Sequence, residues 1–253
     1  MINSGESVRL AFSWLTVLPV GGPATVDRKS AARAIAATPL TGLALGIGVT
    51  GLLWVLTLAG LTPALAGIVT VGAHALVTRG MHIDGLSDTF DGLGCYGPPE
   101  RAREVMYTGG AGPFGVAALV VCLGAQALAF AELASADRWG TLVIVVFTGR
   151  VAVVIACRQG ISAANDRGFG ALVAGTQGPV AIGAWTAVAV AASTSFGSPP
   201  WFGPVATAVV LGATVLFVRH CARRFGGLNG DVLGATLELT VTALAVTVSA
   251  TAT

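Results

Sequence analysis

The chain is 253 residues long, 54% apolar and only 10% charged, with a mean hydropathy of +0.81. Soluble domains carry about 25% charged residues, so too few charges exist here to solvate a globule of this size. A disordered chain and an ordinary soluble enzyme are excluded, and the composition points to a protein whose solvent is mostly lipid. The net charge of +2 is too small to argue for nucleic-acid binding, and none is expected.

In chain order, residues 8–20 form an apolar run that stops at Pro19 and Gly21-Gly22, short of a full span. No small-residue cleavage site with a polar domain behind it follows. The run reads as a helix lying in the membrane interface with Trp14 near the headgroups. Seven later stretches approach the roughly 17–25 apolar residues that cross hydrocarbon: 38–60, 62–78, 113–134, 139–157, 178–196, 201–218 and 232–252. The second is short and punctuated by glycine. The expectation is an all-α, polytopic bundle of about seven transmembrane helices, one integral-membrane domain over residues 1–253. Its 35 glycines suit close helix contact in lipid. Cys95, Cys122, Cys157 and Cys221 show no metal-ligand spacing and read as small packing residues.

Orientation follows from the basic residues. With the N-terminus cytoplasmic, pieces 1–37, 79–112, 158–177 and 219–231 carry 12 of the 14 lysines and arginines. Outside there is only Arg138, and Arg150 lies within a span. That asymmetry is what the positive-inside rule demands. Asp84, Asp88, Asp91, Glu100, Glu104, Asp166 and Asp231 fall in the same inner pieces, so chemistry is expected to face the cytosol.

The most informative stretch is Arg79-Gly-Met-His82-Ile-Asp84-Gly-Leu-Ser-Asp88-Thr-Phe-Asp91-Gly-Leu-Gly94. Asp84, Asp88 and Asp91 stand at i, i+4 and i+7, which places three carboxylates on one helix face. Like charges at that spacing repel, and a divalent cation offsets the repulsion. Mg²⁺ suits such a site because it keeps substrate phosphates and waters among its ligands. Asp84, Asp88 and Asp91 are therefore the expected metal ligands. Gly85 and Gly92 would let a phosphate approach the backbone. His82 is open to four roles: metal ligand, proton acceptor, phosphate donor or hydrogen-bonding anchor.

A second polar cluster, Arg219 to Asp231, precedes the last span. Gly226, Gly227 and Gly230 would expose backbone N–H groups to an anion. Arg223 and Arg224 would clamp phosphate, and Asp231 would cap the final helix or add a metal ligand. Between these clusters, Asn165, Asp166 and Arg167 precede Gly-Phe-Gly, with Asn165 and Arg167 as candidate substrate contacts. Residues Gly109 to Gly115 read as a tight helix entry. Arg150 and Glu238 sit at matched depth, on the order of 10 Å inside the bilayer, and an ion pair is the economical expectation. His74 would point toward the same inner cavity.

The aspartate stretch resembles the hallmark of the cobalamin synthase family, the adenosylcobinamide-GDP ribazoletransferases. Phe12-Ser-Trp-Leu-Thr-Val-Leu-Pro19, Pro113-Phe-Gly115, Arg167-Gly-Phe-Gly170 and Gly226-Gly-Leu-Asn-Gly-Asp231 are similar to shorter motifs of that family, so the resemblance covers most of the chain. It departs at Asn229, where the family pattern has Thr, and at residues 107–110, which lack the usual charges. Substrate contacts are accordingly not counted on around residues 107–112.

The resemblance implies a multi-pass enzyme of the bacterial cytoplasmic membrane that requires Mg²⁺. A ribose hydroxyl of α-ribazole, or of its 5′-phosphate, attacks adenosylcobinamide-GDP and GMP leaves. Asp91 would complete the metal shell or accept the hydroxyl proton, with His82 as the rival base. Arg79, Arg223 and Arg224 would hold phosphates, with Asn165, Arg167, Asn229 and Asp231 as further substrate contacts. Two other magnesium-dependent membrane transferases compete. The spaced aspartates of a CDP-alcohol phosphotransferase are absent, as is the second Asp-rich motif of a prenyltransferase. A secondary transporter would place its charges near the midplane, whereas most acids here lie at one surface.

Overall fold

The computed structural model describes residues 4–23, 25–108, 110–197 and 199–251. Eleven α-helices run through these residues: α1 Ser4–Leu15, α2 Arg28–Leu58, α3 Pro63–Val77, α4 Met81–Gly94, α5 Pro99–Tyr107, α6 Pro113–Ser135, α7 Trp139–Ala156, α8 Phe169–Val173, α9 Pro179–Ala192, α10 Phe202–Phe225 and α11 Gly230–Ser249. A short 3₁₀ turn, Ser193–Phe196, prolongs α9. No strand forms among the described residues, only two isolated bridges.

Six of these helices are long and apolar enough to span: α2, α6, α7, α9 with its 3₁₀ turn, α10 and α11. The expected span over 62–78 is different. Its 15-residue helix α3 rises about 22 Å at 1.5 Å per residue, less than the hydrocarbon thickness. It then turns by 94° into α4, and the pair makes at most one broken span or a re-entrant loop. The corner is made by Arg79 and Gly80, both left-handed, with φ of 59° and 68°. The Gly80 N–H donates to the Ala75 carbonyl at 2.8 Å, closing the end of α3.

Two spans reach further toward the basic end than hydropathy indicates. α2 starts at Arg28, where the Asp27 side chain accepts from the Ser30 N–H at 2.7 Å. Its 31 residues rise about 46 Å, so its charged first turns project past the apolar layer. α10 likewise continues through Arg219, Arg223 and Arg224 to Phe225.

Packing depends on glycine at helix crossings. A Cβ on Gly46 of α2 would lie 2.7 Å from the Val143 carbonyl oxygen of α7, and one on Gly67 of α3 would lie 2.2 Å from that of Ala127 on α6. Such contacts let backbones approach where lipid supplies no hydrophobic drive. α7 is the central helix, buried without a break from Val145 to Ala156.

The loops carrying most of the basic residues gather at one end of the bundle. Arg28 donates to the carbonyls of Ala171 and Ala174, Arg103 to that of Phe225 at 2.6 Å, and Ala164 N–H to that of Leu228 at 3.0 Å. At the other end Arg138 donates to the Val248 carbonyl at 3.2 Å. The bundle thus has the two ends that the charge count separates.

The expected Arg150–Glu238 ion pair does not form. Glu238 accepts from Gln126 Nε2 at 2.7 Å, and Arg150 Nη1 meets His82 Nε2 at 3.1 Å. The rotation of each helix about its axis gives each group another partner.

Gly67→Ala should lower the unfolding free energy in detergent by about 1–3 kcal/mol, read from thermal melts. Gly72→Ala on the same helix, where an added Cβ meets nothing within 4 Å, should leave the melt unchanged.

Candidate active site

The site is built where α4 crosses the first turn of α11. Gly85 makes the crossing possible: a Cβ there would lie 2.7 Å from the Asp231 carbonyl oxygen and 2.8 Å from its Cα. Gly234 does the same beside His82, at 3.1 Å from its Cα. These approaches carry Asp231 into electrostatic reach of Asp84 and Asp88. Asp84 is exposed, while Asp88 and Asp231 are half-buried. The ion pairs Arg101–Glu104 and Arg103–Glu100 lie away from these acids, and no ion pair to Asp84, Asp88 or Asp231 is seen among the described residues.

Asp91 takes another course. It is 8% exposed, and its two oxygens accept from the backbone N–H groups of Gly112 at 2.7 Å and Gly115 at 2.9 Å. Those N–H groups open α6, so Asp91 pins the α6 N-terminus, a favourable place for a negative charge. Gly112 and Gly115 leave it room, since a Cβ on either would meet an Asp91 oxygen at 2.6 or 2.4 Å. The expected triad of Asp84, Asp88 and Asp91 is thereby divided. Helical spacing sets the face, but α6 claims its far end. No three His, Cys, Asp or Glu side chains converge on a metal position among the described residues. Asp231 stands beside Asp84 and Asp88 instead.

Gly85 and Gly92 also differ from expectation. Both positions are filled by protein, Gly85 by the Asp231 backbone and Gly92 by the Met106 and Phe225 side chains. Neither leaves the helix backbone open to a phosphate.

Two cavities flank the start of α11 and share Phe169, Gly230 and Asp231 as their common wall. One, of about 410 Å³, has Asp84, Asp231, His82 and Arg150 among mostly apolar lining. The other, of about 570 Å³, is lined by Tyr107, Asn165, Arg167 and Asn229 among others. The Tyr107 hydroxyl ties this second wall together, accepting from Asn165 Nδ2 at 2.9 Å and facing Asn229 Nδ2 at 3.5 Å. Asn229 caps α11 through the Val232 N–H at 3.0 Å and donates to Asp231 Oδ2 at 3.0 Å. Sequence reasoning missed Tyr107 because residues 107–112 lack charge, and its place depends on contacts 58 and 122 residues away.

The remaining candidates are dispersed. Arg79 is exposed at the left-handed corner. Arg223 and Arg224 do not form a clamp, because neighbours on a helix diverge by about 100°. Arg224 donates to the Cys95 carbonyl at 2.5 Å and fastens the end of α4. Arg223 faces a separate cavity with Arg158 and Arg219. Gly226 and Gly227 form a turn with φ of 77° and 153°. The Leu228 N–H behind them donates to the Ser162 carbonyl at 2.8 Å rather than to an anion. Gly109 lies outside the described residues. His74 is buried, and the cavity beside Arg150 does not include it.

His82 is 6% exposed. A guanidinium can only donate, so His82 Nε2 accepts from Arg150 and the ring is neutral with its proton on Nδ1. Trp14 packs edge-on against Phe169 with ring centroids 5.1 Å apart and lines the smaller cavity.

Comparison with known proteins adds a family. The sequence model described as Cobalamin-5-phosphate synthase (CobS) matches residues 7–249. The adenosylcobinamide-GDP ribazoletransferase of Corynebacterium efficiens is 35% identical over 247 residues, covering 95% of this chain and 90% of that protein. That of a Nocardioides species is 39% identical over 240 residues, 94% of this chain and 96% of the relative. The Frankia casuarinae protein of the same name is 37% identical over 93% and 91% of the two chains. No solved structure matches.

Asp91→Asn replaces one acceptor oxygen with an amide that faces a backbone N–H. It should lower stability by about 0.5–2 kcal/mol, measured by thermal unfolding of the purified protein. Asp84→Asn, which relieves repulsion, should leave stability unchanged or raised.

Proposed function

This chain belongs to the cobalamin-5-phosphate synthase family, and from that premise we propose that it joins adenosylcobinamide-GDP to α-ribazole or its 5′-phosphate with release of GMP. The observation that carries the reading is the acidic centre of Asp84, Asp88 and Asp231, whose Asp231 lies in the wall shared by two cavities while Asp84 lines the smaller of them. A two-substrate transfer needs two pockets that meet at the reacting atoms. In the proposed step the ribose hydroxyl oxygen bonds to the phosphorus attached to cobinamide. The bond from that phosphorus to the GMP oxygen breaks, and GMP departs with the electron pair.

The centre fits Mg²⁺ as cofactor by its donor set, which is hard carboxylate oxygen with no competing cation. Mg²⁺ is commonly held by one or two carboxylates plus substrate phosphates and water, so a cage of three protein ligands is not required. Asp84 and Asp88, one helical turn apart, are the proposed ligands; when bound, the ion would offset the charge of the diphosphate. Asp231 is the carboxylate that lines both cavities, and we assign it the hydroxyl proton. The occupied oxygens of Asp91 and the occupied Nε2 of His82 argue for positioning roles at those residues. Asn229 orients Asp231, and Tyr107, Asn165 and Arg167 supply polar contacts for the second pocket. The inner-membrane location and cytosolic opening are part of the same proposal, supported by the gathering of basic loops around the site.

Purified protein in detergent should release GMP from adenosylcobinamide-GDP only when ribazole or its phosphate is added, with no sealed compartment needed. Chelation should abolish the reaction and Mg²⁺ restore it. Asp84→Asn should lower kcat by on the order of 10³, the effect of losing several kcal/mol of charge stabilisation. Asp231→Asn should lower kcat with little change in KM. Near-normal turnover of Asp84→Asn at saturating Mg²⁺ would overturn the metal assignment.

A further inference from the structure

We infer that the smaller cavity beneath the acidic centre is a pocket for a flat, neutral heteroaromatic base, read through a ring-nitrogen acceptor by the buried guanidinium of Arg150. The inference rests on the transfer reaction proposed above, and it assigns this cavity to the base of ribazole rather than to either phosphate group or the corrinoid.

Arg150 projects from the central helix α7 and is 1% exposed. Its stem is seated by a missing side chain: a Cβ on Gly42 of α2 would lie 2.6 Å from Arg150 Cγ. One end of the guanidinium, Nη1, donates to His82. Nε and Nη2 are buried with no hydrogen-bond partner, although the side chain forms part of the cavity wall. Buried donors without an acceptor are costly, and more so when charged. A ligand that brings an acceptor to this wall removes that cost. His82 is then a positioning residue, holding Nη1 so that the other two nitrogens are left for the ligand.

The remaining wall selects the kind of acceptor. Ile35, Val153, Leu233 and Leu237 are apolar, and Trp14 with Phe169 adds two aromatic rings. A diphosphate would set most of its anionic oxygens against hydrocarbon. At about 410 Å³ the cavity is within the range of small-molecule pockets, and a corrin macrocycle with its side chains is several times too large. A benzimidazole riboside meets each condition. Its ring faces are apolar, its unsubstituted ring nitrogen is a single neutral acceptor, and its ribose would reach back to the polar wall at Asp231.

Two probes differing by one atom test this: 1-ribosylbenzimidazole and 1-ribosylindole, in which a C–H replaces the acceptor nitrogen. Binding to the full chain in detergent is measured by calorimetry, with inorganic pyrophosphate as competitor. Wild type should prefer the benzimidazole by at least about tenfold, the range of a hydrogen bond to a charged group. Arg150→Met should lose that preference by weakening the benzimidazole alone, and Arg150→Lys should restore part of it. Trp14→Ala should weaken both probes alike. Equal binding of the two probes by wild type overturns the inference, a result that needs no variant to fold. Displacement of the riboside by pyrophosphate, or an Arg150→Met defect confined to adenosylcobinamide-GDP, overturns it too. Retained benzimidazole preference without any GMP release by wild type would remove the transfer reaction and leave the pocket.

Discussion

The close crossing of α4 over the first turn of α11 is the constraint on which the site depends. Gly85 sits against the backbone of Asp231 and Gly234 against that of His82, so a side chain at Gly85 would force the helices apart and one at Gly234 would crowd the same crossing. The crossing sets two carboxylates of one helix beside a third from another, with no basic side chain paired to any of them. In a protein with 12 acidic residues in all, concentrating three of them this way costs stability through repulsion. That cost is tolerable where a cation and substrate phosphates complete the centre.

The surrounding architecture holds this crossing in place from both sides. Asp91, at the far end of α4, grips the N-terminus of α6 through two backbone N–H groups. Arg224 fastens the carbonyl at the α4 end, and Arg103 fastens the end of α10. On the buried side, Arg150 of α7 holds His82 of α4. The acidic helix is thus fixed at its beginning and its end by charged groups, and only its middle face remains for chemistry. Asn229 performs the equivalent service on α11, capping the helix while orienting Asp231.

Much of this was legible in the sequence, for identifiable reasons. Hydropathy marks a span because lipid leaves little choice of solvent, and α6, α7, α9, α10 and α11 fall close to the expected stretches. Asp84 and Asp88 were legible because their spacing carries a repulsion that needs an explanation. The right-angled turn after α3 was hidden, since a left-handed Arg79 before Gly80 has no signature in hydropathy. Asp91 was grouped with the other acids because spacing defines a face, not the neighbour that covers it. Arg150 and Glu238 were paired by counting residues along each segment, but helix rotation, which chooses partners, is not written in a segment's length. Tyr107 gave no signal, its role arising only when three distant loops meet.

The central claim is that the acidic face of α4 seats a divalent cation, and direct titration tests it. Mn²⁺, a spectroscopically visible substitute for Mg²⁺, can be followed by electron paramagnetic resonance on the purified chain with a diphosphate present. The account predicts that wild type removes Mn²⁺ from the free signal and that Asp84→Asn and Asp88→Asn variants, melting as wild type does, fail to. Undiminished Mn²⁺ binding by both variants would contradict it.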